Sequence, residues 1–354
     1  MDGFNHMADF RMDLQFRDGT NIGTIPFADL QGEFRMNQPN EIRFKTSSAD
    51  LHNYVNPVSQ LKAGLTECVL YRNGAKIFTG PIWTIDTTSD EKILTIMAQD
   101  VSSYLKQRIV AADTRFTKKR FAYALWKLIS DAQALSNGSL GITLGQDAVT
   151  NPTGTFSFTR KSNTTLAKAA SKLCDGSTGF DWLINPDRQL MMYYPRIQTQ
   201  SNVRLEYGGG IKSYSVRDVG TVVANEVFAV GGNKYVSSTY TDAASVAKFG
   251  RRQYVVQDSS LKSKSKADSV AKTQLSLRKN PRLIPQVTIN TEIVNPFVDN
   301  LSYGNLIYVN IDDGWVQFDG LMRSSGFQLS VGKHGDETFV LYINDTREIE
   351  DTGI

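Results

Sequence analysis

Three histidines, His6, His52 and His334, are the residues best suited to general-base or metal chemistry, and they stand far apart in unrelated contexts. A serine-type triad or a zinc site needs such side chains gathered, usually by a recognisable local motif, and neither HExxH nor GxSxG occurs. They read as surface or structural residues. Asp90, Glu91, Glu292 and Glu337 are of the type a glycosidase pair uses, one acid held neutral and one ionised across a cleft. Nothing in their spacing brings any two together. Gly208-Gly209-Gly210 and Gly231-Gly232 lack the GxxxxGKS/T pattern of a phosphate loop, and no βαβ unit is expected after them, so they read as turns or bulges. Asp312-Asp313-Gly314 lacks the alternating ligands and closing Glu of a calcium loop and reads as a hairpin turn. Lys118-Lys119-Arg120 and the Lys262, Lys264, Lys266 series are basic enough to meet phosphates, but each is expected to open a helix as its solvated face. No catalytic, cofactor-binding or metal-ligating residue is therefore assigned, and no cofactor is expected.

The totals agree with a folded protein of ordinary surface. The chain has 354 residues, enough for two or three domains, with 40% apolar and 21% charged residues. Thirty-nine Lys and Arg against 36 Asp and Glu leave +3, too little to imply a nucleic-acid or membrane partner from net charge. Cys68 and Cys174 are far apart with no CxxC spacing, which suggests buried thiols. No run of about 18 apolar residues occurs and the first residues carry no apolar leader, so synthesis and folding in a cytoplasm, without membrane insertion, is the expectation.

Around these residues the pattern is mainly that of strands. Phe10, Met12, Leu14 and Phe16 alternate with Arg11, Asp13, Gln15 and Arg17, the period of a half-buried strand, and Asp18-Gly19 marks a turn. Further strands are predicted at 32–36, 41–45, 66–71, 76–79, 82–87 and 93–99, with hairpin signals at Asn73-Gly74 and 89–91. Such a series makes a barrel or sandwich.

After a short segment at 102–108 the period changes. Phe121, Leu125, Leu128, Ile129 and Ala132 fall on one helical face; Leu166, Ala169, Ala170 and Leu173 form a second stripe, capped by Asn163 and ended by Gly176. A hairpin at 180–184 and 189–194 turns through Asn185-Pro186-Asp187-Arg188. Strands return at 205–216, 225–230, 285–293, 306–311, 315–318 and 338–343. A Lys-rich helix at 261–279, stopped by Asn280-Pro281, is expected against the outside of a second barrel. The fold class expected is mainly β with an α+β insertion: a first barrel at 1–108, a small α+β domain at 109–206 and a second barrel at 207–354.

Particular stretches carry a resemblance. Val69-Leu70-Tyr71-Arg72-Asn73-Gly74 to Phe78-Thr79-Gly80-Pro81-Ile82, then Leu94-Thr95-Ile96 and Asp100-Val101-Ser102-Ser103-Tyr104-Leu105 with Arg108, resemble the end of the first barrel in the baseplate-hub and tail-tip (minor tail) proteins of tailed bacteriophages, siphophages especially. Gly179-Phe180-Asp181-Trp182-Leu183-Ile184 and the run from Tyr303 to Val309 extend it over nearly the whole chain. The resemblance implies a structural, non-enzymatic virion tail protein: a homotrimer whose two barrels per chain form a ring between a sixfold tube and a threefold tip. Its implied partners are a distal tail protein, a tape-measure protein and tail-tip or fibre proteins, with phage DNA passing only in transit. Because the chain stops soon after its last strand, receptor binding and wall cutting are expected of partner chains. Two other readings stand beside it: a carbohydrate-binding adhesion module using Trp83, Trp126, Trp182 and Trp315, which are more often core residues, and a peptidoglycan hydrolase.

Overall fold

The computed structural model describes residues 8–49, 51–55, 58–88, 92–162, 164–174, 179–196, 200–232, 236–258, 261–291, 293–294, 304–333 and 335–344. Strand outweighs helix, 49% against 21%, which is the mainly β class expected. His6, Asp90, Glu91, Asn163, Gly176, Glu292, Tyr303 and His334 lie outside the described residues.

Seven antiparallel strands open the chain: β1 (Phe10–Phe16), β2 (Asn21–Ile25), β3 (Ala28–Arg35), β4 (Glu41–Ser47), β5 (Thr66–Arg72), β6 (Ala75–Thr88) and β7 (Ile93–Gln99). In β3, β4 and β7 burial alternates residue by residue, as the sequence pattern requires of strands with one wet face. The two strands expected at 76–79 and 82–87 are one strand, β6, whose first half pairs with β5 and whose second half pairs with β7. Gly80 sits at the changeover, where a Cβ would lie 2.0 Å from the Gln99 carbonyl oxygen. The Gly-Pro pair thus marks a close crossing inside one strand, where two separate strands were expected.

The middle of the chain forms β8 (Thr114–Arg120), α1 (Phe121–Gln133), β9 (Thr143–Gln146), β10 (Thr153–Phe158), α2 (Leu166–Cys174), β11 (Asp181–Ile184) and β12 (Gln189–Tyr193). Both helical stripes face one core: Leu125, Leu128, Ile129 and Ala132 meet Leu166, Ala169, Ala170 and Leu173, with Phe180, Trp182, Leu190 and Met192 from the predicted hairpin. Phe121, expected on the same face, is only partly buried against that core. Lys118-Lys119-Arg120 stand at the opening of α1 as expected, with Arg120 as its N-cap residue. They end strand β8, whose pairing with β10 shifts register beside Lys118, a residue at φ +52°.

The strand expected at 205–216 is two, β13 (Gln200–Glu206) and β14 (Ile211–Val219), parted by a turn at Gly208-Gly209-Gly210 where Gly208 has φ +83°. β15 (Glu226–Gly231), β16 (Tyr240–Thr241), α3 (Ala243–Phe249), β17 (Gln253–Asp258) and α4 (Lys264–Arg278) follow, then β18 (Arg282–Ile289), β19 (Leu306–Asp312), β20 (Gln317–Val331) and β21 (Glu337–Asn344).

The chain divides into a larger unit, chiefly Met1–Ser213 with Val287–Ile343, and a smaller one, chiefly Tyr214–Gln286. In the smaller unit β16, β15 and β17 make their own three-stranded sheet, and α4 packs on it through Ala267 and Ala271 against Val227 and Ala229. The helix expected on a barrel wall therefore covers this small sheet. β15 and β17 are parallel with α3 between them, so a βαβ-type unit does follow Gly231-Gly232, against expectation. Gly231 serves packing there, since a Cβ would meet the Leu261 carbonyl oxygen at 2.5 Å.

In the larger sheet the first and last β regions join. Its order is β14-β18-β21-β20-β3-β4-β7-β6-β5-β1-β2, with β13 on β19 and β19 on β20. That path is open and traces no closed barrel among the described residues. The joint is β20, 15 residues long. Its first half pairs with β19 and its second with β3, and Gly326 at the changeover would place a Cβ 2.4 Å from the Phe34 carbonyl oxygen. Phe34, Phe327 and Phe339 stack across this seam with centroids 4.6 Å apart at each step.

Gly80→Ala tests the crossing. All four tryptophans lie in the larger unit, so their fluorescence in urea follows that unit alone. We expect a loss of about 2–3 kcal/mol, since backbone faces the added methyl group and no flexible side chain can yield.

Candidate functional site

The larger unit is closed by carboxylates withdrawn from water, each met by a guanidinium from a distant part of the chain. Asp181 opens β11 and is fully buried; Arg196 reaches it at 3.4 Å and Arg323 of β20 forms a second ion pair with its other oxygen. Asn37, in the β3–β4 turn at φ +63°, donates to Asp181 at 3.0 Å and accepts from the Trp182 amide at 2.8 Å. Burial lowers the Arg323 pKa, partly opposed by Asp181, without threatening the charge of so strong a base. Arg196 also caps the end of α2 by donating to the Cys174 carbonyl oxygen at 2.8 Å.

Glu67 of β5 is the second such centre. It is fully buried, accepts from Tyr104 Oη at 2.9 Å and Gln15 at 3.4 Å, and pairs with Arg188 from the β11–β12 turn. Burial, then Glu67, pushes the Tyr104 hydroxyl up to about 12, so it remains a donor. Trp83 stands edge-on to Tyr104 at 5.7 Å and donates to Ser103 Oγ at 2.9 Å. Burial also pushes the Cys68 thiol up, followed by the neighbouring Glu67 charge, which leaves a poor nucleophile. The third pairing is bidentate: Arg72 donates to Glu337 of β21 at 2.9 and 2.6 Å. Glu337, weighed as half of a carboxylate pair, is thus occupied by a guanidinium.

Asp100 works differently. It caps the 3-10 turn Val101–Lys106, accepting from the Ser102 amide at 2.9 Å, and holds the Asn40 amide at 3.0 Å. No guanidinium faces it among the described residues, and burial raises its pKa to about 6 against those hydrogen bonds.

The remaining sequence candidates scatter. His52 is exposed in a 3-10 turn, and no group of His, Cys, Asp and Glu among the described residues is placed to hold a metal ion. Asp313 closes its hairpin by accepting from the Trp315 and Val316 amides at 3.0 and 2.8 Å. Lys264 pairs with Asp268 at 2.8 Å on α4. Of the tryptophans, Trp182 is buried, Trp83 and Trp126 pack partly on the core, and Trp315 at the β19–β20 tip is 93% exposed. An open groove of about 580 Å³ lies beside Glu67, bordered by Arg17, Asp18, Lys76, Asp187 and Arg188. Lys76 pairs with Asp187 at 2.7 Å at its border, and Asp18 accepts from the Thr20 amide at 2.9 Å. The arrangement is one of clamps, and the sequence held no local signal for it because each partner is far along the chain.

Asp181→Asn removes the charge that Arg196 and Arg323 share, and the larger unit should lose about 3–5 kcal/mol in a urea titration. Asp100 has the opposite linkage. A carboxyl whose folded pKa is raised from 3.8 to about 6 contributes stability below the ordinary range that is lost as pH rises through the folded value. Asp100→Asn should therefore gain on the parent between about pH 4 and pH 7, by up to roughly 3 kcal/mol, in paired urea titrations.

No protein-family model matches the sequence, and no curated protein matches it either. Solved structures do. The 43 kDa tail protein of prophage MuSo2 from Shewanella oneidensis superposes with a TM-score of 0.70 at 13% identity, over 97% of this chain and 100% of that one. A tail protein from Neisseria meningitidis MC58 gives 0.63 at 15% identity, over 95% and 97%. The E. coli c3393 protein, a type VI secretion component described as similar to the T4 phage tail proteins gp27 and gp5, gives 0.52 at 10% identity, over 95% and 78%. At these identities what is shared is the fold, and it is the fold of phage tail and type VI secretion proteins over nearly the full length of the chain.

Proposed function

We propose that this chain is a structural baseplate hub or tail-tip protein of a phage-type tail, without catalytic activity of its own. It assembles as a trimeric ring that adapts a sixfold tube to a threefold tip and surrounds the channel used by a tape-measure protein and then by DNA. The observation that carries the reading is the full-length match to tail proteins, 97% of this chain against all of the MuSo2 protein, so that one fold runs through both chains. Two further features support it. β6 and β20 each change partners at a glycine crossing, the device by which sheets curl toward barrels, and we read residues 1–108 and 207–354 as two barrel-like regions on either side of the α+β segment 109–206. β2 ends the sheet path and so presents an edge of backbone groups to which a neighbouring subunit can pair. Distal tail, tape-measure and fibre proteins are the partners this position requires.

Trp315 is the anchor we assign to assembly. A tryptophan 93% exposed on a hairpin tip has no folding role, and exposed aromatics of this kind dominate interfaces when they enter a neighbour's pocket. Its exposure is also the one observation favouring a glycan-binding module, although the other three tryptophans are engaged in the core. Light scattering of the intact chain should give about 118 kDa, three times 39.4 kDa. Trp315→Ala should raise the dissociation midpoint about thirtyfold or more with unchanged urea unfolding. A monomer at all concentrations, with glycan-array binding that Trp315→Ala abolishes, would replace the hub by the adhesion reading.

A further inference from the structure

Positive charge is concentrated in one stretch of the larger unit. Residues 114–172 contain nine Lys and Arg against two Asp, a local +7 in a chain of +3 overall. Both acids are already used: Asp147 by Arg120 at 2.8 Å and Asp131 by Lys127 at 2.5 Å. Arg115, Lys118, Lys119, Arg160, Lys161, Lys168 and Lys172 are exposed and have no carboxylate partner among the described residues.

The pairing gathers them. Ser157 faces Arg115 and Gly154 faces Lys119 across the β8–β10 ribbon, and the Arg160 amide donates to Asp113 at 2.6 Å, which holds Arg160 and Lys161 at the end where β8 begins. Lys168 and Lys172 share one face of α2, and Lys172 lies 5.5 Å over the Phe158 ring. Lys119 lies 5.6 Å over Tyr123 at the other side of the same aromatic cluster, in which Phe116 touches Tyr123, Phe156 and Phe158, and Phe156 stacks on Phe121 at 5.0 Å. Phe121, Tyr123 and Phe156 are only half-buried.

Seven unneutralised cations on a two-stranded ribbon and the helix beside it repel one another and are stabilised by a polyanion. Among the described residues the large exposed apolar side chains of this stretch, Leu135, Leu144 and Val149, lie outside β8, β10 and α2, so the ribbon and α2 themselves offer little to insert into a lipid layer. Cations interleaved with partly exposed rings suit a phosphodiester backbone. We propose that the β8–β10 ribbon with the adjoining face of α2 is a sequence-independent nucleic-acid-binding surface, gripping phosphates through Arg115, Lys118, Lys119, Arg160, Lys161 and Lys172. This does not rest on the trimeric ring and goes beyond the hub reading, which asks only that DNA pass.

The test is fluorescence anisotropy of a labelled DNA oligonucleotide, single-stranded and duplex, titrated with the full chain from roughly 50 to 200 mM salt. Binding should weaken steeply with salt and show no sequence preference. Lys118→Gln with Lys119→Gln, and separately Arg160→Gln with Lys161→Gln, should each weaken it about tenfold and flatten the salt slope by about one for every phosphate that is no longer neutralised. Lys118→Arg with Lys119→Arg should retain it, and Lys262→Gln with Lys266→Gln, in the smaller unit, should leave it unchanged; unaltered tryptophan fluorescence certifies folding of the larger-unit variants and unaltered circular dichroism that of the Lys262/Lys266 variant. Absence of binding at low salt, or equal weakening in the Lys262/Lys266 variant, overturns the proposal. Sedimentation with phosphatidylglycerol vesicles in place of DNA binding overturns it in favour of a lipid surface.

Discussion

A carboxylate taken out of water inside a β-rich protein must find a cation at the same depth, and Asp181 shows what that demands of the rest of the larger unit. Its two arginines arrive from further along the chain, Arg196 from just past β12 and Arg323 from β20, while Asn37 locks the β3–β4 turn to the same spot. Desolvation offsets most of the attraction in such a pair, so the gain over an apolar replacement is small. What the pair penalises is every arrangement that leaves one charge alone. Glu67 with Arg188 and Arg72 with Glu337 apply the same penalty at two other seams. Together they specify where the first strands, the α+β segment and the last strands meet.

The sheet meets the same requirement through sterics. β6 and β20 are longer than any other strand among the described residues, and each changes partner along its length, β6 from β5 to β7 and β20 from β19 to β3. A side chain at either changeover would occupy the carbonyl of the strand crossing it, so Gly80 and Gly326 are the points at which the sheet can bend without losing backbone pairing. Ion pairs and glycine crossings together hold strands from opposite ends of the chain in one sheet.

The buried acids at the seams are neutralised by arginine, the Cys68 thiol is held protonated by burial, and Lys76 pairs with Asp187 across the groove beside Glu67. Among the described residues Thr79 Oγ1, Asp147 Oδ1 and Trp182 Nε1 stay without a hydrogen-bond partner inside, while the surface carries sheet ends, one exposed tryptophan and a ribbon of cations without carboxylate partners.

Local periodicity carried much of the fold. The alternation from Phe10 to Phe16, the α1 and α2 stripes, and the hairpin turned by Asn185 to Arg188 are legible because burial of one face repeats every two or every 3.6 residues, whatever the partner. The Asp100 segment was legible as a pattern, and the structure supplies its reason in a capped turn. Where the outcome depended on a partner, the sequence was silent. Gly80-Pro81 has the composition of a turn and is a crossing; the register shift at Lys118 breaks the alternation that would have revealed β8; β15 and β17 pair in parallel across α3. Whether Glu337 was a free acid or an arginine's partner, and whether Trp315 was core or surface, had no local signature. The sequence by itself determined the mainly β class and the helical faces, since those follow from side-chain spacing. Only the tertiary structure decided which strands pair, which charges neutralise each other and which remain exposed, because those choices are made between residues as far apart as Leu30 and Val331, through sterics and desolvation that no short window contains.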